Sequence, residues 1–322
     1  MSFMLEKLEQ TPIIYIMGAG RSGSSILGEA IGMLPRTLHL GEVLGIFDYC
    51  SDKSDQIVCS CGKRYENCIF WNSLMSKSFG NNWRDIILNY RVLGKLPSTK
   101  KLLIGKFLHQ SPNKNVELMY RNNLLLKNAL HQTDSKIIID SSKSIPYAIM
   151  MKDSGLFNIF LVHLVRDPRA VLYSWLHRPI QIYNEEKQES ILRTRSFLEG
   201  ILEWIYSDVG AHILRIFGYP FIEILYEDFI ENPAETIQNL IESAREHEIG
   251  LDESVEAMNI LREKKITLHN HWSGGNPRLR EKRGLISLKP DNHWIVDRNI
   301  SEKIFSNLLF SPWLLFYGYF WK

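Results

Sequence analysis

Short apolar runs of strand type alternate along the chain with stretches in which apolar residues recur at helical spacing. The runs at residues 13–17, 136–139, 158–165 and 221–225 predict strands, and a helical pattern follows each of them. Strands that alternate with helices favour a mainly parallel sheet that is covered by helices on both faces. The pattern therefore predicts an α/β fold of three layers.

Polar and glycine-rich motifs begin where these strands end. Residues 24–34 continue with helical spacing, and Asn232-Pro233 marks the entry to a later helix. Ligands bind beyond the carboxyl ends of parallel strands, so the motifs are expected to share one cleft. No linker rich in glycine or serine divides residues 1–322, which predicts a single domain. Residues from about 46 to 132 are expected to form a mostly helical insertion.

Composition narrows the class of protein. With 322 residues and 45% hydrophobic content, the chain can bury a large core, and its net charge of +2 is too small to imply binding to nucleic acid. No run approaches the roughly 20 apolar residues of a membrane span, and no N-terminal stretch has the pattern of a signal peptide. The expected location is the cytoplasm.

The first strand leads into a glycine-rich turn at residues 18–25 and then into a helix. Gly18 and Gly23 fit the phosphate-binding pattern G-x-x-x-x-G-K-[ST], but Ser24 stands in the lysine position. Backbone N–H groups and a helix N-terminus still favour an anion there, and a basic group remains at Arg21. Such a loop suits a 5′-phosphate with a less charged terminal group, transferred without a metal, better than ATP·Mg²⁺. Sulfonate is the obvious candidate for that group.

A second candidate anion site follows the strand at residues 158–165. Arg166-Asp167-Pro168-Arg169 comes directly after this strand and opens a helix that carries Ser174 in its second turn. Two guanidiniums can bind a phosphate in bidentate fashion, and the serine hydroxyl can donate as well. Surface ion pairs with Asp167 are the alternative for an isolated motif of this kind. The combination with the lysine-less loop favours phosphate binding.

These motifs together resemble the sulfotransferases that use 3′-phosphoadenosine-5′-phosphosulfate (PAPS). In that family a G-x-[PG]-[RK]-S-G-[ST]-[ST] loop binds the 5′-phosphosulfate, and an R-D-P-R segment followed by serine binds the 3′-phosphate. Asp140-Ser141-Ser142-Lys143, Tyr226-Glu227-Asp228-Phe229 and Gly275-Asn276-Pro277 extend the resemblance. The resemblance implies a P-loop-type fold and a PAPS site formed by Gly20, Arg21, Ser22, Gly23, Ser24, Ser25, Arg166, Arg169 and Ser174.

The reaction of that family needs a base for the acceptor hydroxyl. Glu42 follows Gly41 in a return connection after the first helix, and a glutamate after glycine in the similar bacterial and tyrosylprotein enzymes looks like the group that takes the proton. His39 is the rival base, since a histidine is better matched to neutral pH. A solvated loop glutamate is the alternative interpretation of Glu42.

Positive groups are expected around the transferred sulfonate. Arg21 and Lys143 are the candidates, because donors aimed at developing negative charge stabilise the transition state. Lys143 follows two serines at a strand end, an environment that equally suits an exposed lysine beside a helix N-cap. Its recurrence in the D-S-S-K segment of similar bacterial enzymes favours a place near the substrate.

A basic, glycine-rich segment lies late in the chain, at residues 271–283. Similar sulfotransferases carry a late basic loop that contacts the 3′-phosphate and the adenine, although their R-K-G-x-x-G-D-W-K form is absent here. Arg278, Arg280 and Arg283 are the candidate ligands of the nucleotide, and solvated surface positions are the alternative.

The cysteines Cys50, Cys59, Cys61 and Cys68 all fall within one short stretch. Their C-x-C spacing departs from the paired C-x₂₋₄-C pattern of zinc knuckles, so a structural zinc ion held by these four is possible but disfavoured. Disulfides are disfavoured in the cytoplasm. The stretch resembles a C-x-C-G…C-x-F-W segment of bacterial sulfotransferases, which favours a local structural element without a catalytic role.

The sequence therefore predicts a sulfotransferase that moves a sulfonate from PAPS to a hydroxyl acceptor by in-line displacement, with no metal in the chemistry. A sugar, phenol, lipid headgroup or peptide tyrosine remains open as the acceptor. Two other classes stay open as well: a P-loop kinase or nucleoside triphosphatase, and a nucleotide-binding protein of the same fold that has lost its chemistry.

Overall fold

The computed structural model describes residues 10–46, 58–87, 96–107, 116–184, 189–269, 271–276, 279 and 282–321. A central sheet of five strands in the order β2-β3-β1-β4-β7, every pair of them parallel, organises the described part of the chain. Two small antiparallel hairpins, β5-β6 and β8-β9, stand apart from it. The strands are β1 Thr11–Met17, β2 Thr37–Gly41, β3 Ile137–Asp140, β4 Phe157–Val165, β5 Ile180–Asn184, β6 Glu189–Arg193, β7 Phe221–Leu225, β8 Lys265–Leu268 and β9 Gly284–Ser287.

Helices cover both faces of the central sheet. In chain order they are α1 Ser24–Ile31, α2 Ile69–Phe79, α3 Thr99–Phe107, α4 Val116–Thr133, α5 Ile145–Asp153, α6 Pro168–His177, α7 Phe197–Ile216, α8 Tyr226–Glu231, α9 Pro233–Glu246, α10 Val255–Arg262, α11 His293–Asp297, α12 Ile300–Leu309 and α13 Ser311–Phe316.

Alternate side chains of the central strand β1 enter two different cores. Ile13 and Tyr15 pack in a cluster with residues of α2, α4, α5 and α7, whereas Ile14 and Ile16 pack in a second cluster with residues of α1, α9 and α10. This alternation follows from the two-residue period of a strand that is buried on both faces. The predicted three-layer α/β fold with a parallel sheet is confirmed.

The four predicted strands correspond to β1, β3, β4 and β7, and the edge strand β2 was missed. Only Thr37–Gly41 form β2, and this segment carries a threonine and a histidine among its leucines, so its apolar pattern is weak. His39 is nevertheless buried, because its Nδ1 lies 2.7 Å from Oε1 of the buried Glu29 on α1. A polar residue with a partner from a neighbouring helix thus occupies a core position of this strand.

The described residues between 58 and 133 are mainly helical and contribute α2, α3 and α4. Trp71 and Leu74 of α2 and Leu125 of α4 belong to the same buried cluster as the strand residues Ile13 and Tyr15. The cysteine-bearing residues 58–62 form an irregular turn ahead of α2. None of the helices in the described ranges has the length and apolar character that a bilayer span requires.

Candidate functional site

The candidate residues meet at the carboxyl edge of the central sheet. Residues 18–25 follow β1, Glu42 follows β2, residues 141–143 follow β3 and Arg166 follows β4. These four strands are adjacent and parallel, so their carboxyl ends lie side by side. The geometry brings the glycine-rich turn, the candidate base, the candidate lysine and the first arginine of R-D-P-R into one region.

Glycine is required at two positions of the turn that follows β1. A Cβ on Gly18, whose φ is 140°, would lie 2.3 Å from the carbonyl oxygen of Leu164. A Cβ on Gly23, whose φ is 97°, would lie 2.4 Å from the ring of Tyr226. Both the backbone conformation and the space therefore exclude larger residues. Arg21 also has a positive φ, of 71°, which shows how tightly the chain turns here.

The N-terminus of α1 offers unsatisfied donors to an anion. Gly23 caps this helix without a side-chain hydrogen bond, and its first turn carries no acidic residue. The hydroxyl of Ser22 is buried and has no hydrogen-bond partner among the described residues. The first N–H groups of a helix likewise lack intrahelical acceptors. Ser24 and Ser25, at the end of the turn, are buried as well. The turn therefore offers the backbone N–H and hydroxyl donors that bind a phosphate or sulfonate.

Lys143 supplies an ammonium at the place where the phosphate-loop lysine is missing. Its Nζ lies 3.4 Å from Oγ of Ser24, the residue in the lysine position of the loop. The same Nζ donates to Oε1 of Glu42 at 2.7 Å and to the carbonyl oxygen of Ser141 at 2.6 Å. The loop therefore lacks its own lysine, but the fold places a lysine from the end of β3 beside it.

The late segment 271–276 packs against Glu42. The N–H of Glu42 donates to the carbonyl oxygen of Ser273, and the N–H of Ser273 donates to that of Leu40, both at 2.8 Å. A Cβ on Gly274 would lie 2.6 Å from Oε2 of Glu42, and one on Gly275 would lie 2.6 Å from Oγ of Ser25. Two glycines with positive φ thus allow this segment to approach both the candidate base and the glycine-rich turn.

His39, the rival base, is directed away from this region. Its side chain has no exposed surface, its Nδ1 is paired with Glu29, and its ring stacks on Trp272 with centroids 6.1 Å apart. The carboxylate of Glu42, whose side chain is 24% exposed, is the accessible one of the two groups. Geometry therefore favours Glu42 over His39 as the candidate base.

A buried carboxyl group lies beneath the turn that carries Lys143. Asp140 is fully buried at the end of β3, and burial raises its pKa to about 7. Its Oδ1 accepts hydrogen bonds from the N–H of Ser142 at 2.8 Å and from the hydroxyl of Ser142 at 2.5 Å. The hydroxyl oxygen of Ser142 also accepts from the N–H of Leu44 at 3.0 Å. Asp140 and Ser142 thus connect the turns that hold Lys143 and Glu42.

Arg166 joins the glycine-rich turn to a second cluster of charges. Its Nη1 donates to the carbonyl oxygen of Arg21 at 2.9 Å, and its Nη2 donates to Oδ2 of Asp291 at 3.3 Å. Its Nε is buried and has no hydrogen-bond partner among the described residues. The guanidinium stacks over the ring of Tyr226, 4.6 Å from the centroid. Arg166 is therefore a rigid cation with an unused donor beside the turn.

Asp291 places a carboxylate between two arginines at this point. Arg178 binds it in bidentate fashion, with Nη1 2.5 Å from Oδ2 and Nη2 2.9 Å from Oδ1. The hydrogen bond from Arg178 lowers the pKa of Asp291 to about 2, and the charge of Arg166 adds to this effect. Asp291 was not singled out in the sequence because it comes from a C-terminal segment with no motif around it.

The side chain of Arg169 pairs with Asp167, whereas that of Arg166 pairs with Asp291. The guanidinium of Arg169 donates to Oδ2 of Asp167 at 2.6 Å, to the carbonyl oxygen of Tyr319 at 2.9 Å and to Oδ1 of Asn307 at 3.2 Å. The side chain is therefore engaged with its own helix start and with the C-terminal helices. Asp291 instead brings the guanidiniums of Arg166 and Arg178 together, and Ser174 of α6 is buried.

The late basic residues are only partly described. Arg278 and Arg280 lie outside the described residues. Arg283 is exposed, and its Nη1 donates to the carbonyl oxygen of Lys282 at 2.7 Å. Its Nη2 would lie 3.9 Å from a Cβ placed on Gly62. The guanidinium of Arg283 is therefore close to the cysteine-bearing turn.

The cysteines converge with a histidine that the sequence did not indicate. The ligand atoms of Cys59, Cys61, Cys68 and His271 lie within 4.8 Å of one another. His271 is the first residue of the segment 271–276 that packs on Glu42, whereas Cys50 lies outside the described residues. Spacing along the chain offers no signal for this histidine, because it is 203 residues from Cys68.

Comparison with known proteins supports one family. The model of the family described as sulfotransferase domain matches residues 11–244. No curated protein sequence matches the chain significantly. Among solved structures, the sulfotransferase domain from the curacin biosynthetic pathway is 14% identical, covers 94% of this chain and 98% of its own, and has a TM-score of 0.52.

Two further solved structures are similar at lower TM-scores. The sulfotransferase domain from the Synechococcus PCC 7002 olefin synthase is 17% identical over 94% of this chain and 95% of its own, with a TM-score of 0.45. The sulfotransferase STF9 from Mycobacterium avium is 12% identical over 95% of this chain and 76% of its own, also with a TM-score of 0.45. At these identities the likeness concerns the fold.

Proposed function

The chain belongs to the sulfotransferase domain family, and we propose that it transfers a sulfonate group from PAPS to a hydroxyl acceptor. Membership of the family supports sulfonate transfer and a hydroxyl acceptor. The choice of donor, the base and the residues that bind the nucleotide are our proposals from the geometry of the site.

The donor is held at both ends in this proposal. Residues 20–25 receive the 5′-phosphosulfate, and the unpaired hydroxyl of Ser22 supports this assignment because a sulfonate oxygen would satisfy it. Arg166 and Ser174 receive the 3′-phosphate, with the unused Nε of Arg166 as the supporting observation. Arg178 joins this set as a second guanidinium, in the place that the sequence suggested for Arg169.

Glu42 acts as the general base, and one observation carries this assignment. A single ammonium, that of Lys143, lies 2.7 Å from Oε1 of Glu42 and 3.4 Å from Oγ of Ser24 in the loop. The side chain of Lys143 therefore links this carboxylate directly to the loop in which we place the sulfonate. Glu42 takes the proton of the acceptor hydroxyl while the acceptor oxygen forms its bond to sulfur. The bond between sulfur and the bridging oxygen of the 5′-phosphate breaks, and its electron pair remains on that oxygen.

Lys143 has two successive partners in this mechanism. Before the donor binds, its ammonium is paired with the Glu42 carboxylate, with Nζ 2.7 Å from Oε1. The bridging oxygen of the donor, which gains negative charge as its bond to sulfur breaks, then attracts the same ammonium. Arg21, in the tight turn, is the second positive group proposed near the sulfonate. The segment with Gly274 and Gly275 lies against Glu42 and Ser25.

Thermal unfolding with nucleotides tests the donor. A ligand that binds only the native state at a hundred times its Kd stabilises that state by about 2.7 kcal/mol, so adenosine 3′,5′-bisphosphate should raise the Tm clearly. Adenosine 5′-phosphate is the matched control, because it lacks only the 3′-phosphate, and it should raise the Tm less. Greater stabilisation by ATP·Mg²⁺ than by the bisphosphate would instead support the kinase or nucleoside triphosphatase alternative.

A transfer assay tests the chemistry itself. PAPS is incubated with panels of sugars, phenols, lipid headgroups and tyrosine peptides, and the release of adenosine 3′,5′-bisphosphate is measured together with the sulfated product. Turnover of one class identifies the acceptor. Tight binding of the bisphosphate without transfer to any class would favour the non-catalytic alternative.

A further inference from the structure

Three sulfur atoms and one imidazole nitrogen form a compact cluster at the edge of the site. Sγ of Cys59 and Sγ of Cys68 are 3.7 Å apart. Nδ1 of His271 lies 3.7 Å from Sγ of Cys59 and 3.2 Å from Sγ of Cys68. Cys61 completes the set, and all four ligand atoms lie within 4.8 Å of one another.

The separations among Cys59, Cys68 and His271 are close to those of ligands around a tetrahedral zinc ion. Sulfur about 2.3 Å and nitrogen about 2.0 Å from a tetrahedral zinc ion lie about 3.5 to 3.8 Å from each other. Two of the three measured separations fall in this range, and the third, 3.2 Å, is shorter by a few tenths of an ångström. The cysteines are thiols in this structure, since 3.7 Å is far beyond the roughly 2.05 Å of a disulfide bond.

The backbone around the cluster prepares its sulfur atoms as ligands. The N–H of Gly62 donates to the carbonyl oxygen of Cys59 at 2.8 Å, and the N–H of Cys59 donates to that of Lys63 at 3.0 Å, which closes a tight turn between Cys59 and Cys61. Cys68 is the N-cap residue of α2, and the first turn of this helix carries no acidic residue. The N-terminus of α2 therefore lies directly at the cluster.

We propose that Cys59, Cys61, Cys68 and His271 bind a structural zinc ion that fastens residues 271–276 to the cysteine-bearing turn. Three thiolates and one imidazole are a ligand set typical of structural zinc. Four protein ligands leave no open position for a substrate, so the ion has no part in the chemistry. The spacing of the four cysteines disfavours zinc, whereas this set replaces Cys50 with a distant histidine.

Hydrogen bonds already join the two segments that the ion would fasten. The N–H of Ser60 donates to the carbonyl oxygen of Trp272 at 3.1 Å, and the N–H of Trp272 donates to Oγ of Ser60 at 3.0 Å. The hydroxyls of Tyr65 and Ser273 are 3.0 Å apart. These contacts hold the backbone immediately after His271, which has the strained φ of 77°. The zinc ion adds the link that fixes this strained residue.

The position of the cluster connects the metal to the proposed active site. The segment that starts at His271 pairs with the backbone of Glu42 through Ser273, and its Gly275 approaches Ser25. Loss of the ion should release this segment and loosen the position of Glu42. This consequence rests on the proposed function of Glu42, whereas the metal site itself does not.

Metal analysis of the chain without an affinity tag is the direct test. Protein produced with zinc and kept under reducing conditions should contain one zinc ion per chain when its metal content is measured by elemental mass spectrometry. Cobalt(II) introduced in its place should give the intense visible absorption of tetrahedral thiolate coordination. Cys61→Ser and His271→Asn should each lose the zinc to a chelator that the unchanged chain withstands. Cys50→Ser and His131→Asn, a change of an exposed histidine on α4, should retain it.

The outcomes separate the metal site from folding and from the proposed function. The cobalt spectrum of the unchanged chain decides the case even if a variant fails to fold. Substoichiometric zinc after reconstitution, an octahedral cobalt spectrum, or a Cys59–Cys68 disulfide in the reduced preparation would overturn the proposal. If Cys61→Ser and His271→Asn kept their zinc as well as the unchanged chain does, or if Cys50→Ser lost it, this set of ligands would be wrong. None of these measurements depends on transfer activity.

Discussion

The ammonium of Lys143 forms an ion pair with the carboxylate of Glu42, with Nζ 2.7 Å from Oε1, although the two residues are 101 positions apart. Neither side chain is fully buried, at 17% and 24% exposed, so both remain accessible to a substrate. The pair lies over the serine that occupies the lysine position of the phosphate loop. The positive charge missing from the loop is therefore supplied by the end of β3, and it comes paired with the carboxylate of Glu42.

Glu42→Gln should reduce the rate of transfer far more than the affinity for the nucleotide. A positioned general base contributes roughly 10²- to 10⁴-fold, and the amide cannot accept the proton. We expect kcat to fall by about that factor while the Kd of adenosine 3′,5′-bisphosphate changes little. Transfer kinetics and nucleotide titration on the same preparation measure both quantities.

The control for this change is Glu117→Gln, which alters an exposed glutamate on α4 that pairs with Arg121. It should leave both kcat and Kd unchanged. If Glu42→Gln kept more than a tenth of the original kcat, Glu42 would not be the base. Its ion pair with Lys143 would then be its only role at the site.

The features that could be predicted from sequence are those whose cause is local. Gly18 and Gly23 are required by the backbone of one short turn, and Arg166 follows directly from the end of β4, so spacing along the chain suffices. The role of His39 was harder to judge, because its burial depends on Glu29 on a different element.

The features that could not be predicted depend on partners distant in the chain. His271 meets Cys68 across 203 residues, and Arg169 is engaged by Asn307 and Tyr319 from the C-terminal helices. No motif marks such partners, since any polar residue brought near by the fold can serve. The place of the R-D-P-R segment at the end of β4 could therefore be predicted from the sequence, but the different contacts of its two arginines could not.

Arg166→Met should mainly weaken nucleotide binding, whereas Arg169→Met should mainly lower stability. Loss of Arg166 should weaken binding of adenosine 3′,5′-bisphosphate by about tenfold or more, because a hydrogen bond to a charged group contributes about 1.5–3 kcal/mol. Binding of adenosine 5′-phosphate should be nearly unaffected. Calorimetric titration with the two nucleotides gives this comparison.

Loss of Arg169 should instead lower the free energy of unfolding. Its removal leaves the buried carboxylate of Asp167 without its charged partner, and breaking a buried ion pair on one side costs about 3–5 kcal/mol. Denaturant unfolding measures this change. A stable Arg169→Met protein that has lost affinity only for the 3′-phosphorylated nucleotide would return Arg169 to the phosphate site.

Asp291→Asn should strengthen binding of the 3′-phosphorylated nucleotide. The carboxylate lies between the guanidiniums of Arg166 and Arg178, which are the proposed ligands of that phosphate. Neutralising it removes both a competitor for the donors and a repelling charge. We expect the Kd to fall severalfold in low salt, with a smaller effect at high ionic strength because salt screens charge interactions.

Asp297→Asn is the matched control for this change. The carboxylate of Asp297 accepts from the hydroxyl of Tyr173 at 3.0 Å and influences Arg178 only through its charge. It should alter the Kd less than Asp291→Asn. Weaker binding in Asp291→Asn would show that the carboxylate positions the arginines for the nucleotide instead of competing with it.

Asp140→Asn should change how stability depends on pH. Burial raises the pKa of the Asp140 carboxyl to about 7, above the ordinary value of about 3.9 in an unfolded chain. The native state therefore holds a proton that the unfolded state releases, and this group lowers the free energy of unfolding as pH rises from about 4 to about 7. Three pKa units correspond to a loss on the order of 4 kcal/mol at higher pH.

The difference in unfolding free energy, Asp140→Asn minus the unchanged chain, isolates this contribution. It should increase between pH 4 and pH 7 and level off above, because the amide does not titrate. The neighbouring Tyr15 and Tyr147 have pKa values raised by burial and remain neutral throughout this range. Denaturant unfolding at a series of pH values measures the difference, and a flat or falling curve would mean that the buried carboxyl is ionised in the native state. In that case Lys143 and the hydrogen bonds from Ser142 would outweigh the cost of burial, and the turn below the proposed base would carry a permanent negative charge.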